Sequence, residues 1–196
     1  QQPLTPAQHS RARELQQRWC VQRLSKLNPA RESPAPAEPF VLVVDQSAGD
    51  CSIGLGQAGP ESFRRMLQEA LRDQPDCLVV VKVHPDVIRG RARGHFRRQD
   101  LQHPRIRVCA DGLHPAALLE QAQAVYVVTS QMGFEALLWG RTVHCFGMPF
   151  YAGWGLTHDR LPAPVRRGQM VPLEALVHAA LVAGTRCVDP HHHQPC

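Results

Sequence analysis

Three short segments set reactive side chains directly behind apolar runs. In VLVVDQSAGD, Asp45 and Gln46 follow four apolar residues. A carboxylate there serves either as a turn residue or helix cap, or as a nucleophile, general base or metal ligand. The following stretch, 47–59, holds Gly49, Gly54, Gly56 and Gly59, which suit close approach of backbone to a ligand. Its spacing is not the dinucleotide fingerprint GxGxxG. In VVVKVHPD, strand alternation puts Lys82 and His84 on one side, and Pro85 stiffens the turn after them. A lone histidine is commonly structural, but a Lys–His pair can hold a phosphate oxygen. In VYVVTSQMGFEALL, Thr129 and Ser130 precede a helical pattern that opens at Gln131. Helix-start N–H groups and the dipole attract an anion, and the two hydroxyls either cap the helix or face the ligand. Glu135 sits between Phe134 and Ala136; it either faces solvent or accepts both hydroxyls of a ribose. The aromatic run FYAGWGL (150–156) forms either a packed loop or a wall for a sugar or base. The set fits a phosphate-bearing ligand beside a carboxylate, and spacing alone does not name the ligand.

The elements that must position these residues alternate. Apolar runs at 40–44, 78–83, 106–109, 125–128 and 142–146 predict five buried strands. Helical stripes lie between and after them: Phe63, Met66, Leu67, Ala70 and Leu71; Leu118, Leu119 and Ala122; 131–139, closed by Gly140; and Leu173, Leu176, Val177, Ala180 and Leu181, closed by Gly184. Alternating strands and helices imply an α/β fold, a Rossmann-like parallel sheet flanked by helices. Such sheets bind ligands at the carboxyl ends of their strands, where Asp45, Lys82 and Ser130 fall. A further stripe at 11–27 (Ala12, Leu15, Trp19, Cys20, Leu24, Leu27) predicts a leading helix. Pro29, Pro34, Pro36 and Pro39 mark a connector, so the leading helix either belongs to a neighbouring module or braces this one. The expected organisation is a leading helix and connector at 1–38, a lobe at 39–186 and a disordered tail at 187–196.

The 196 residues, 43% hydrophobic and 20% charged, suffice for one domain with a real core. No apolar run approaches the ~20 residues of a membrane span, and the polar start lacks a signal-peptide core. The first residue is Gln1, not Met, so a piece of a longer protein is expected. Seven cysteines without a CxxC pair argue for reduced thiols and a cytoplasmic location. The tail carries His191, His192 and His193 between prolines, a metal-capable cluster better read as disordered. The formal charge of +5 includes a cluster of Arg89, Arg91, Arg93, Arg97 and Arg98. It is either a solvated surface or a site for an anionic phosphate, acidic sugar or membrane face; no nucleic-acid motif accompanies it.

TSQMGFEALLWGRTVHCFGMPFYAGWGLTHDR (129–160) closely resembles the capsule polysaccharide biosynthesis/export family of bacterial β-Kdo transferases. VVDQSAGDCSIGLG (43–56), KVHPD (82–86) and LSKLN (24–28) match the same family in the same order. The resemblance covers roughly 20–160. It implies one lobe of a GT-B-like glycosyltransferase, with the other lobe absent from this sequence. It further implies transfer of 3-deoxy-manno-octulosonic acid (Kdo) from the donor CMP-Kdo to a Kdo-lipid acceptor built on lysophosphatidylglycerol. By resemblance, Asp45 is the nucleophile of a retaining double displacement. Lys82, His84, Ser130 and the helix start steady the departing CMP phosphate, Glu135 holds the ribose, and Gln46, Thr129 and Gln131 complete the donor site. No DxD motif is present and no metal or cofactor is demanded. Other implied partners are the missing lobe or a tandem module and capsule assembly and export proteins, with no nucleic acid, on the inner face of the inner membrane. Two alternatives stay open: a non-catalytic CMP- or nucleotide-sugar-binding module, and an epimerase-like enzyme acting on nucleotide sugars.

Overall fold

The computed structural model describes residues 3–26, 28, 32, 34–109 and 114–185. Leu27, Pro29 and the tail with Cys187, His191, His192, His193 and Cys196 lie outside them. The first strand, β1 (Phe40–Val44), is buried at every position because both its faces are covered. Phe40, Leu42 and Val44 enter one core and Val41 and Val43 the other. Around it run β2 (Leu78–Lys82), β3 (Ile106–Cys109), β4 (Ala124–Val127), β5 (Thr142–Cys145) and the two-residue β6 (His158–Asp159). All pairings are parallel and the order is β3-β2-β1-β4-β5-β6. The connections therefore reverse direction between β1 and β4, which opens a crevice at their carboxyl ends.

Helices cover both faces. On one side α3 (Pro60–Asp73) buries Phe63, Met66, Leu67 and Ala70 against Val41, Val43, Val79 and Val81. On the other, α5 (Ala116–Gln121), α6 (Met132–Leu138) and α7 (Leu173–His178) share a core with α1 (Pro6–Val21). Ala12 of α1 is fully buried, and Arg13 reaches Glu174 of α7 at 2.8 Å. The helix α7 runs into a π-helical turn, Ala179–Ala183, before Gly184.

The five predicted strands are all present, β1 and β3 with the predicted bounds and the other three with ends shifted by one residue. The leading helix starts and ends earlier than its apolar stripe. Thr5 caps it in a reciprocal box with Gln8, Pro6 takes the first turn, and Arg23 in the left-handed region (φ +52°) ends it. The glycine-bearing stretch after β1 is not all loop: it folds as α2 (Cys51–Leu55), with Asp50 capping through the Ser52 N–H. Five residues are too few to register as a period. A short α4 (Pro85–Ile88) follows β2, and the connection from there to β3 carries the five clustered arginines, all exposed.

Candidate functional site

The crevice between β1 and β4 is a cavity of about 320 Å³, within the usual range for small-molecule sites. Asp45, Gln46, Lys82, His84, Thr129, Ser130, Gln131 and Glu135 all line it. Residues scattered over ninety positions of sequence thus converge because the parallel sheet delivers every strand end to one edge.

Asp45 is not an open strand-mouth carboxylate; it is 4% exposed. Its N–H continues the ladder to the Lys82 carbonyl at 2.9 Å. Oδ1 accepts the N–H groups of Gln46 at 2.9 Å and His95 at 3.1 Å. Burial pushes the carboxyl up to about 6, against the lowering effect of those two N–H donors. Gln46 latches the two strand ends together. Its Oε1 accepts the Thr129 N–H at 2.9 Å, and its Nε2 donates to the Thr129 hydroxyl at 3.0 Å. The Thr129 hydroxyl also meets Ser52 at 3.0 Å, so both groups are engaged within the protein. The same latch brings the loop after α2 close: a Cβ on Gly56 would stand 2.4 Å from Thr129 Cγ2.

Lys82 is buried at the end of β2, and its charge acts on Glu135 of α6. His84 accepts the Asp86 N–H on Nδ1 at 3.2 Å, with the Ser47 hydroxyl also 3.2 Å from that atom. A neutral His84 therefore carries its proton on Nε2. The start of α6 differs from the sequence expectation. Gln131 precedes the helix, and the Met132 and Gly133 N–H groups are taken by the Ser130 hydroxyl (3.3 Å) and carbonyl (3.0 Å). Among the described residues the Ser130 O–H has no acceptor, since its oxygen is the acceptor in that bond. The Tyr151 hydroxyl anchors the same carbonyl from beneath.

Glu135 does not face solvent; it is 1% exposed. The Ser25 hydroxyl donates to Oε2 at 2.7 Å and the Lys26 N–H to Oε1 at 3.3 Å. Burial raises its pKa, opposed by those two bonds and by the charges of Lys26 and Lys82. A carboxylate has about four lone-pair positions, of which hydrogen bonds among the described residues take two. Of the aromatic run after β5, Phe150 lines the cavity while Tyr151 is fully buried in the core. Trp154 Nε1 donates to the Phe150 carbonyl at 2.8 Å and so holds that wall in place.

Sequence reasoning did not single out Ser25, Lys26, Ser52, Pro115 or Met132, which also line the cavity. Ser25 and Lys26 reach it from the turn after α1. Only the family-like motif at 24–28 hinted at them. Asp50 has a pKa held below the usual carboxylate range: burial raises it, but the Ser52 N–H and hydroxyl and the Gln46 amide outweigh that. Among the described residues no group of three or more His, Cys, Asp or Glu converges as a metal site would require.

A family model described as "Capsule polysaccharide biosynthesis protein" matches residues 2–185. The capsule polysaccharide modification protein LipA of Neisseria meningitidis serogroup A is 44% identical over 147 residues, 71% of this chain and 21% of that protein. The lipopolysaccharide-processing protein LpsZ of Rhizobium meliloti is 35% identical over 176 residues, 84% of this chain and 38% of that protein. The chain thus spans only a fifth to two fifths of these relatives. Among solved structures, the β-Kdo 2,4 transferase of Thermosulfurimonas dismutans KpsC aligns with a TM-score of 0.91 at 38% identity, covering 99% of this chain and 61% of that one. The β-Kdo 2,7 transferase of the same protein aligns with a TM-score of 0.75 at 27% identity, covering 98% and 58%. The parallel sheet flanked by helices is accordingly one lobe of a GT-B-like architecture. With a family match across nearly its whole length, the chain belongs to the capsule polysaccharide biosynthesis protein family.

Proposed function

We propose that this chain is the donor-binding lobe of a retaining glycosyltransferase that moves Kdo from CMP-Kdo to a lipid-linked acceptor. The observation that carries the reading is the shared cavity: a buried carboxyl, Asp45, stands with Lys82, His84, Ser130 and Glu135 around one crevice. The likeness to two solved domains named as β-Kdo transferases supports it.

In the first step, an Asp45 carboxylate oxygen bonds to the anomeric carbon of Kdo. The bond from that carbon to the phosphate oxygen breaks, and its electron pair leaves with CMP. Lys82, His84 Nε2–H and the Ser130 hydroxyl offset the charge that grows on the phosphate. In the second step an acceptor hydroxyl attacks the same carbon from the opposite face. Asp45 departs as carboxylate and the hydroxyl proton is released to water. Two inversions give net retention. Glu135 takes the ribose hydroxyls on its two remaining positions, and Phe150 walls the sugar or base. Gln46 and Thr129 act by holding the two strand ends in register, and Gln131 stands at the rim. The negative donor is neutralised by protein cations, and no metal or cofactor is needed in this scheme. The acceptor is a Kdo-lipid built on lysophosphatidylglycerol at the inner face of the inner membrane. No helix among the described residues is long and apolar enough to cross a membrane.

Calorimetry tests the donor: CMP is expected to bind and UDP to bind much more weakly. Equal affinity for the two counts against the reading. With the second lobe present, incubation with CMP-Kdo is expected to leave a Kdo adduct on Asp45 by mass spectrometry. Undiminished transfer by an Asp45→Ala variant would remove the nucleophile role.

A further inference from the structure

Asp45 is held from outside its own strand. The connection from α4 to β3 crosses over it at residues 93–95. The Arg93 carbonyl accepts the Ala48 N–H at 2.6 Å, tying this connection to the loop after β1. The next residue, Gly94, lies so close that a Cβ there would stand 2.3 Å from Asp45 Oδ2. The His95 N–H donates to Asp45 Oδ1 at 3.1 Å. The His95 ring lies flat on Phe63 of α3, centroids 3.8 Å apart and planes within 2°, and Phe96 meets the same ring edge-on at 6.2 Å. Phe63 is fully buried, so the crossing segment is seated on the rigid core and not merely draped over the surface.

The two carboxyl oxygens are thereby made unequal. Oδ1 accepts two hydrogen bonds, from the Gln46 and His95 N–H groups. Oδ2 accepts no hydrogen bond among the described residues, and the backbone beside it is Gly94, whose missing Cβ leaves it room. A nucleophile needs one oxygen unsolvated and aimed and the other held, because a misplacement of about 1 Å can cost on the order of 100-fold in rate.

We propose that residues 93–95 form a positioning strap that pins Asp45 through Oδ1 and leaves Oδ2, the oxygen without a hydrogen bond among the described residues, to react, with glycine required at position 94. Gly94 and His95 do not line the cavity, so the strap acts through Asp45. The proposal rests on the nucleophile reading of Asp45, and its test separates the two.

Gly94→Ala and His95→Ala are measured beside Asp45→Asn in the two-lobed enzyme. For Gly94→Ala, kcat is expected to fall by about 100-fold, with CMP affinity and donor KM near the wild-type values. A merely structural loop would instead lower thermal stability while leaving kcat in the folded fraction intact. The Asp45 carboxyl, followed by carbon NMR in this chain, should titrate above the wild-type value in Gly94→Ala, as the His95 N–H is pushed away. His95→Ala keeps that N–H but loses the seat on Phe63. It should show the same signature more weakly, and it decides the matter if Gly94→Ala fails to fold. Wild-type kcat and an unshifted Asp45 titration in the folded variant overturn the strap. Wild-type transfer by Asp45→Asn would remove the nucleophile reading instead, and the titration alone would then judge the strap.

Discussion

Asp45→Asn should make the protein more stable at neutral pH, although it removes the proposed reacting group. The carboxyl titrates at 3.8 when free of the fold and is pushed up to about 6 within it, mainly by burial. That difference is worth about 3 kcal/mol. The sign follows from proton counting. Below about pH 4 both states hold the proton and no penalty exists. As pH rises, the unfolded chain releases its proton first, so stability falls until the folded carboxyl also ionises near 6. Above that the full cost is present. Asparagine keeps an oxygen for the Gln46 and His95 N–H groups and never ionises. Its new amide hydrogens beside Gly94 cost about 1 kcal/mol if left without acceptors. The expected net gain at neutral pH is therefore about 2 kcal/mol, or a rise in Tm of roughly 4–8 °C for a chain of this size. At about pH 4 the variant should be level with the wild type or slightly less stable. Urea unfolding at the two pH values measures this directly. Equal stability near neutrality, or a gain of the same size at both pH values, would refute the account of a strained, buried carboxylate.

Other substitutions probe the frame around the cavity. Gln46→Ala leaves the buried Thr129 N–H without its acceptor; a loss of about 1–3 kcal/mol in urea unfolding is expected, with an unchanged slope. Gly133→Ala sets a methyl 2.3 Å from the Tyr151 hydroxyl, which anchors Ser130; calorimetric melting should show a cost of about 1–3 kcal/mol and CMP titration a weaker affinity. Lys82→Met removes a buried cation facing the cavity; CMP affinity should fall by about tenfold or more, equivalent to at least 1.4 kcal/mol, and carbon NMR should find the Glu135 carboxyl titrating higher once that charge is gone.

The sheet was readable because burial on both faces leaves runs such as Phe40–Val44 wholly apolar, and a five-residue run of that kind between proline and a carboxylate fits little except a covered strand. That these residues would share one cavity was readable for a related reason: a polar side chain ending an apolar run must emerge at a sheet edge. What those residues touch was not readable. The sequence pattern leaves open whether Glu135 faces water, since one acid in an apolar helix looks the same whether it is exposed or held by Ser25. The turn that supplies Ser25 lies more than a hundred positions away, and no local periodicity encodes such a contact. The strap over Asp45 escaped for the same reason. RGRARGHFRR reads as a charged loop, and only the fold reveals that Gly94 is squeezed against a carboxyl. Short elements such as α2 and β6 fall below the length at which a period can be recognised.

The hold of Glu135 on the turn after α1 carries a thermodynamic obligation. In the proposed donor site one carboxylate serves two clients, the Ser25–Lys26 turn on one side and the guest in the crevice on the other. Linkage makes the exchange reciprocal: a guest that reinforces the carboxylate's grip tightens the turn, one that competes for its lone pairs loosens it, and the turn returns the same free energy to the guest. On the proposed role of Glu135, the leading helix is thus wired to the occupancy of the crevice through a single side chain.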